Sequence, residues 1–293
     1  MRRQLPVYLF VILSASILLN ACGGSDSEQV LRFSAIPDQN STELTEKFAP
    51  LAKHLSEVLG VTVEYIPSRD YQASVEMFKN GDVQLAWFGG LTGVQAREGL
   101  EGARAIAQGA VDPKYFSYFV AHGSVGRGQH PNFPAYIREL SFTFGSESST
   151  SGRLMPEYFI RKFTQYKSTS FFTKTAFYSG SHDKTLELVQ SGQFQAGVVN
   201  YKVYEKRVEE GKVNPEMCRI IWKTPNFPDY NWTAHPLLEK RFGEGFIDKL
   251  QAALTAIEDP ELLAAIPREK LIPAKNEDFE MIRQVAMDLE MIR

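Results

Sequence analysis

Apolar and polar positions recur with two different periods along this chain, and the switches between them mark out strands and helices. Residues 30–36 read as a short strand. Leu44, Phe48, Leu51, Leu55 and Val58 then fall on one face of a helix that starts at Ser41 or Thr42 and runs to about Leu59, where Gly60 ends it. Residues 61–66 form the next strand and 71–78 the next helix. Val83, Leu85 and Trp87 alternate along a third strand, which stops at Phe88-Gly89-Gly90. A second series follows: a strand at 141–144, a helix from Arg153 to about Tyr166, a strand at 175–178, a helix at 183–190, a strand at 196–199 and a helix from Tyr201. Beyond Trp232 the pattern is helical, at 246–257, 260–264 and 279–289. Strand–helix alternation of this kind predicts α/β architecture, with a mostly parallel sheet covered by helices on both faces. Residues 115–122 and 219–223 are extended and apolar, and they fit two hinge strands. The expectation is therefore two lobes, residues 30–118 with 224–293 and residues 119–223. A single continuous sheet is the alternative.

The ends and the charge change this picture only at its edges. Arg2 and Arg3 precede an apolar run at 7–19 that is too short for a permanent span, so residues 1–21 read as an export signal. Leu19-Asn20-Ala21-Cys22 resembles a bacterial lipobox, which predicts a lipidated Cys22 and a tether over 22–29 that includes Gly23, Gly24 and Ser25. An uncleaved anchor or an ordinary signal is the alternative. Lys and Arg number 32 against 35 Asp and Glu, and loss of Arg2 and Arg3 with the signal takes the formal charge from −3 to −5. A mildly acidic chain with scattered charges argues against nucleic acid as a partner. With Cys22 acylated, Cys218 is the sole remaining thiol, so no intrachain disulfide is expected.

The candidate chemistry centres on Ser148-Ser149-Thr150-Ser151-Gly152, between a strand and a helix. Hydroxyls and unpaired backbone N–H groups at a helix start, with a glycine admitting close approach, make an oxyanion pocket. Simple N-capping is the competing reading. Ligands of open α/β sheets sit beyond the carboxyl ends of the strands, here residues 37–40, 67–71, 88–91, 148–152, 179–183 and 200–202. An enzyme would need a nucleophile with a base in reach. Ser181 and His182 are only sequence neighbours, and no Gly-x-Ser-x-Gly elbow is present; a hydrolase built on Ser149 and His182 meeting across the cleft is the alternative. The five histidines show no metal-ligand spacing, so neither catalytic residues, metal nor cofactor is expected.

Five motifs, Asp70-Tyr71, Leu85-Ala86-Trp87-Phe88-Gly89-Gly90, Ser149-Thr150-Ser151-Gly152 with Pro156, Gly180-Ser181-His182-Asp183 and Trp222-Lys223-Thr224-Pro225, together resemble phosphonate- and phosphite-binding proteins of ABC importers. Residues 142–147 and Asp229-Tyr230-Asn231-Trp232-Thr233 look most like a branch named for selenate. The resemblance implies the two-lobed periplasmic binding-protein fold (type II), a monomer with no chemistry on the ligand, and a permease with its ATPase as partners. It implies that Ser149, Thr150 and Ser151 hold the anion, that His182 adds a bond, charge-assisted if the ring is protonated, and that Tyr71 and Tyr115 line the pocket. Phe88 stands where relatives carry a tyrosine. Lys202 stands where an aminophosphonate binder offers a glutamate, with Asn200 on the same turn. A carboxylate helps only a ligand that has a proton to donate, so these departures favour a bare dianion, selenate or sulfate-like, with Asp229 as an exception whose alignment is uncertain. The alternatives are a phosphonate, phosphite or phosphate binder of the same family, or a sensor lobe for a signalling partner.

Overall fold

A computed structural model of the chain describes residues 29–292. The signal, Cys22 and nearly all of the tether lie outside them. The first part of the chain gives β1 (Val30–Ala35), α1 (Ser41–Leu59), β2 (Thr62–Tyr65), α2 (Tyr71–Lys79), β3 (Leu85–Phe88), α3 (Gly90–Arg97) and β4 (Arg104–Gly109). The middle gives β5 (Ser117–His122), β6 (Phe142–Phe144), α4 (Met155–Thr164), α5 (Ser168–Phe171), β7 (Phe177–Tyr178), α6 (His182–Gln190), β8 (Ala196–Asn200), α7 (Tyr201–Glu209) and β9 (Cys218–Lys223). The chain ends with β10 (Asn231–Ala234), α8 (Leu237–Phe242), α9 (Phe246–Thr255), β11 (Leu271–Pro273) and α10 (Glu280–Asp288).

There are two sheets, with strand orders β11-β4-β10-β3-β1-β2 and β7-β6-β8-β5-β9. The helices follow their apolar periods. On α1, Leu44, Phe48, Leu51, Leu55 and Leu59 are buried, whereas Val58 is 47% exposed. Asn40, not Ser41 or Thr42, caps that helix, accepting the N–H groups of Thr42 and Glu43 at 3.0 and 3.1 Å. Both sheets are mixed. Pairs β1–β2, β1–β3, β6–β7 and β6–β8 run parallel, and the other pairs run antiparallel. The antiparallel share is larger than strand–helix alternation suggests, because the returning chain inserts β10 between β3 and β4, and β5 between β8 and β9. Nothing in the periodicity announced β10: its four residues are all buried, and Arg97 makes that tolerable by donating to Asn231 Oδ1 at 3.0 Å and Thr233 Oγ1 at 2.8 Å.

Residues 115–122 and 219–223 serve chiefly as β5 and β9, full members of the second sheet, paired antiparallel with each other. The chain passes between the sheets just outside them. There Tyr115 and Phe227 form an isolated antiparallel bridge, closed by Phe227 N–H donating to the Tyr115 carbonyl at 2.9 Å. The Trp87-Phe88 and Phe171-Phe172 pairs are core, all four side chains being buried. Among the described residues, no helix is long and apolar enough to cross a membrane.

Candidate functional site

The carboxyl ends of the parallel strands in the two sheets face each other. From the first sheet come residues 36–40 after β1, Tyr71 at the start of α2, and Gly89-Gly90 after β3. From the second come residues 145–152 after β6, His182 after β7, and Asn200 at the end of β8. The two sets touch directly: the His182 N–H donates to the Asp38 carbonyl at 3.0 Å, and the Leu91 N–H donates to Thr150 Oγ1 at 2.9 Å.

The hydroxyl run opens as a π turn, Thr150–Leu154, before α4 begins. Such widened turns often sit at functional sites. Ser149 caps it, its Oγ accepting the Gly152 N–H at 2.9 Å. The capping reading is thus correct for this oxygen, and the Ser149 hydroxyl proton is left to give. Gly152 is required here, because a Cβ on it would lie 2.9 Å from Ser149 Oγ, 3.2 Å from the Gly145 Cα and 3.2 Å from His182 Cε1. Gly152→Ala is therefore expected to push His182 and the Ser149 cap apart. The cost is about 1–3 kcal/mol of stability and most of the anion affinity, readable by thermal melting and calorimetry on one preparation. An unchanged affinity would remove His182 and Ser149 from the site.

His182 is fully buried. Its Nδ1 accepts the Asn200 N–H at 3.4 Å, which leaves Nε2 to carry the proton, and that Nε2 has no partner. Burial pulls its pKa down to about 4, opposed by nearby Asp183. His182 is accordingly a neutral donor at pH 7, so the condition for a charge-assisted bond, a protonated ring, is not met. Tyr71 is buried as well. Its hydroxyl lies beside Ser149 and near Asp38 and Asp229, yet has no partner in hydrogen-bond geometry.

Asp229 is the residue on which the alignment was silent, and it sits inside this cluster. Its Oδ1 accepts the Gly90 N–H at 2.9 Å, and the hydroxyls of Thr150 and Ser151 flank the carboxylate. Its Oδ2 is buried with no hydrogen-bond geometry to any of them. Desolvation pushes its pKa up to about 7, against the pull of those neighbours. Gly89 permits the arrangement: a Cβ there would lie 3.1 Å from Thr150 Oγ1 and 3.2 Å from Asp229 Oδ1. A buried carboxylate with an unpartnered oxygen thus stands near the Tyr71 hydroxyl, which lies beside Ser149, and His182 adjoins Ser149 at Gly152. A second buried carboxylate, Asp38, is raised to about 6 by desolvation and accepts the Tyr230 hydroxyl at 2.8 Å.

The other expected residues are placed around this centre. Asn200 supports the site: its Oδ1 caps α7 through the Val203 N–H at 2.7 Å and its Nδ2 donates to the Tyr230 hydroxyl at 2.9 Å. Tyr115 packs on Tyr201 and Tyr230 and takes part in the aromatic wall around the Arg268 guanidinium, which is buried against Asp112 at 2.7 Å. Phe88 points into the core against Phe78 instead of toward the donors. The alternation of β3 sends Trp87 to the other face, stacked on Tyr230. Lys202 is only half-buried, with its Nζ 5.4 Å from the Tyr201 ring centre, and no contact joins it to the cluster. Sequence reasoning missed Asp38 and Tyr230. Residues 37–40 follow a strand end, but nothing in a Pro-Asp-Gln turn signals burial. Among the described residues no cluster of three or more His, Cys, Asp or Glu could hold a metal.

Comparison with known proteins agrees with this geometry. The family model described as "ABC transporter, phosphonate, periplasmic substrate-binding protein" matches residues 33–279. The chain is 36% identical over 293 residues to a probable ABC transporter phosphite-binding protein, PhnD1, of Prochlorococcus marinus, covering 97% of this chain and 98% of that one. It is 29% identical to the phosphate-import protein PhnD of Mycolicibacterium smegmatis, over 80% of this chain and 77% of the other. The solved structure of P. marinus PhnD1 in complex with methylphosphonate superposes with a TM-score of 0.85 at 37% identity, covering 90% of this chain and 100% of that one. By fold and by sequence along nearly its whole length, the chain belongs to the phosphonate-type periplasmic substrate-binding proteins of ABC transporters.

Proposed function

We propose that this protein captures a small phosphorus oxyanion that still carries one proton, of the phosphite or methylphosphonate class, and delivers it to its permease. The observation that carries this reading is the free Oδ2 of Asp229. A tetrahedral anion beside Tyr71, His182 and Ser149 receives donors on its charged oxygens. Its P–OH group then donates to Asp229, so that anion and carboxylate share one proton. Selenate and sulfate have no such proton near neutral pH, and an ionised Asp229 would face them as an unpaired repulsion. The absence of a carboxylate favoured those dianions, and Asp229 supplies one, so the preference moves to the phosphorus class. The PhnD1 relative, with its phosphite-binding name and methylphosphonate complex, supports the same reading.

The two sheets act as lobes, with the 113–116 and 224–228 crossings as the hinge, and the cleft closes over the anion. A lipid on Cys22 holding the protein at a membrane belongs to the same proposal. The pH dependence follows from the shared proton. The complex needs one proton between Asp229, pushed up to about 7, and the ligand. Affinity for methylphosphonate is therefore retained as pH falls toward neutrality from above. It decreases by about tenfold per unit once both free partners have lost their protons, beyond about pH 8. Calorimetry across that range tests it, and a flat profile to pH 9.5 would overturn the proton-sharing reading.

A further inference from the structure

Beside the anion site, at the cleft rim, a groove of about 430 Å³ is bordered by Asn40, Glu43, Ser181, Asp183, Arg207 and Lys212. These residues come from both halves: Asn40 and Glu43 belong to the start of α1, the others to α6, α7 and the turn after α7. Asp183, next in sequence to His182, accepts Arg207 through Nε at 2.8 Å and Nη2 at 2.5 Å. The same carboxylate accepts the Asn40 N–H from the opposite half at 3.0 Å. Arg207 then reaches across to Glu43 at 3.1 Å, and Lys212 meets the other oxygen of Glu43 at 3.0 Å.

We infer that Glu43, Arg207 and Lys212 are positioning residues, a charge clasp across the rim that holds His182 against residues 38–40 and so sets how long a captured anion stays. The geometry separates this from a surface ornament. The Arg207 side chain is 5% exposed while it pairs with three carboxylates, so its charge is largely withdrawn from water and its partners are fixed in direction. The clasp also brackets two contacts that join the halves, His182 N–H to the Asp38 carbonyl and Asn40 N–H to the Asp183 carboxylate. Glu43 is held at about 2: partial burial works against its charge, but the hydrogen bonds from Lys212 and Arg207 outweigh it. Because these residues do not touch the donor cluster, the clasp acts alike on any anion the cleft admits.

Opening the cleft to release an anion must break the Glu43 contacts, whereas docking on an open cleft does not. Their loss should therefore appear in the dissociation rate. The experiment is stopped-flow tryptophan fluorescence with methylphosphonate, and sulfate in parallel, at about 20 and about 500 mM NaCl. Glu43→Gln is expected to raise the dissociation rate about tenfold at low salt, with association changed by less than about twofold. At high salt the wild type should move only part of the way toward the variant, because salt screens the half-exposed Glu43–Lys212 pair and leaves the buried Arg207 contact largely intact. Lys212→Gln should give a smaller change of the same sign. Glu46→Gln, which removes the same charge from an exposed position on α1, should leave dissociation unaltered. Equal dissociation rates for wild type and Glu43→Gln at both salt concentrations would overturn the clasp. So would an equal effect from Glu46→Gln.

Discussion

Asp229→Asn is expected to reverse the anion preference of this protein. The Gly90 N–H will continue to be accepted by the side-chain carbonyl oxygen, which turns the new amide N–H₂ to where the free Oδ2 now stands. Near pH 6 a monoanionic phosphonate then meets a donor where it needs an acceptor. The loss of one hydrogen bond to a charged group is worth about 1.5–3 kcal/mol, roughly a tenfold to hundredfold weaker Kd. Sulfate and selenate move the other way, gaining a donor and losing a repulsion. The readout is the ratio of methylphosphonate to sulfate affinity in wild type and variant, because a general loosening of the pocket lowers both together. If both anions weakened equally, Asp229 would have a structural role in holding Gly90 and no part in selectivity.

The second large effect sets binding against stability. Tyr71 buries a hydroxyl with no partner, and burial holds that hydroxyl well above the usual tyrosine range, so it is a neutral O–H donor. An orphaned buried hydroxyl costs about 1–3 kcal/mol, and replacing it by an apolar group of the same shape is neutral or stabilising. Tyr71→Phe is thus expected to melt at the same or a higher temperature without ligand, and yet to bind the anion about tenfold or more weakly. Differential scanning calorimetry with and without methylphosphonate reads both quantities. A lower melting temperature without ligand, together with unchanged affinity, would place the hydroxyl in the scaffold and not in the site.

Much of this was legible in the chain. The period of α1, the glycine that ends it and the Ser149–Gly152 run at a strand-to-helix junction are local features, written by nearest-neighbour spacing. They mark Ser149, Thr150, Tyr71 and His182, which the structure places around one cluster. What stayed hidden depends on contacts between distant segments. Strand β10 carries buried Asn231 and Thr233, which read as polar loop until Arg97 of α3 satisfies them. The charge-assisted bond that the resemblance implies for His182 depends on a protonated ring, which the sequence does not decide. Complete burial, with Asn200 facing its Nδ1, makes it neutral. Phe88, which stands where relatives carry a tyrosine, points into the core against Phe78, because which face of a four-residue strand meets the cleft is decided by the sheet order. Asp229 decides the ligand class, and it is fixed by the Asp112 carbonyl accepting its N–H at 3.1 Å from across the crossover, a contact between segments more than a hundred residues apart.

The account rests on a carboxylate reserved for the proton of the ligand. Its most direct test is competitive titration calorimetry at pH 7 on the protein lacking residues 1–22, with phosphite, methylphosphonate, sulfate and selenate as titrants. Phosphite or methylphosphonate should bind at least about a hundredfold more tightly than either dianion, the scale of one buried, unpaired charge contact. Selenate or sulfate binding as tightly as the phosphorus anions would contradict it.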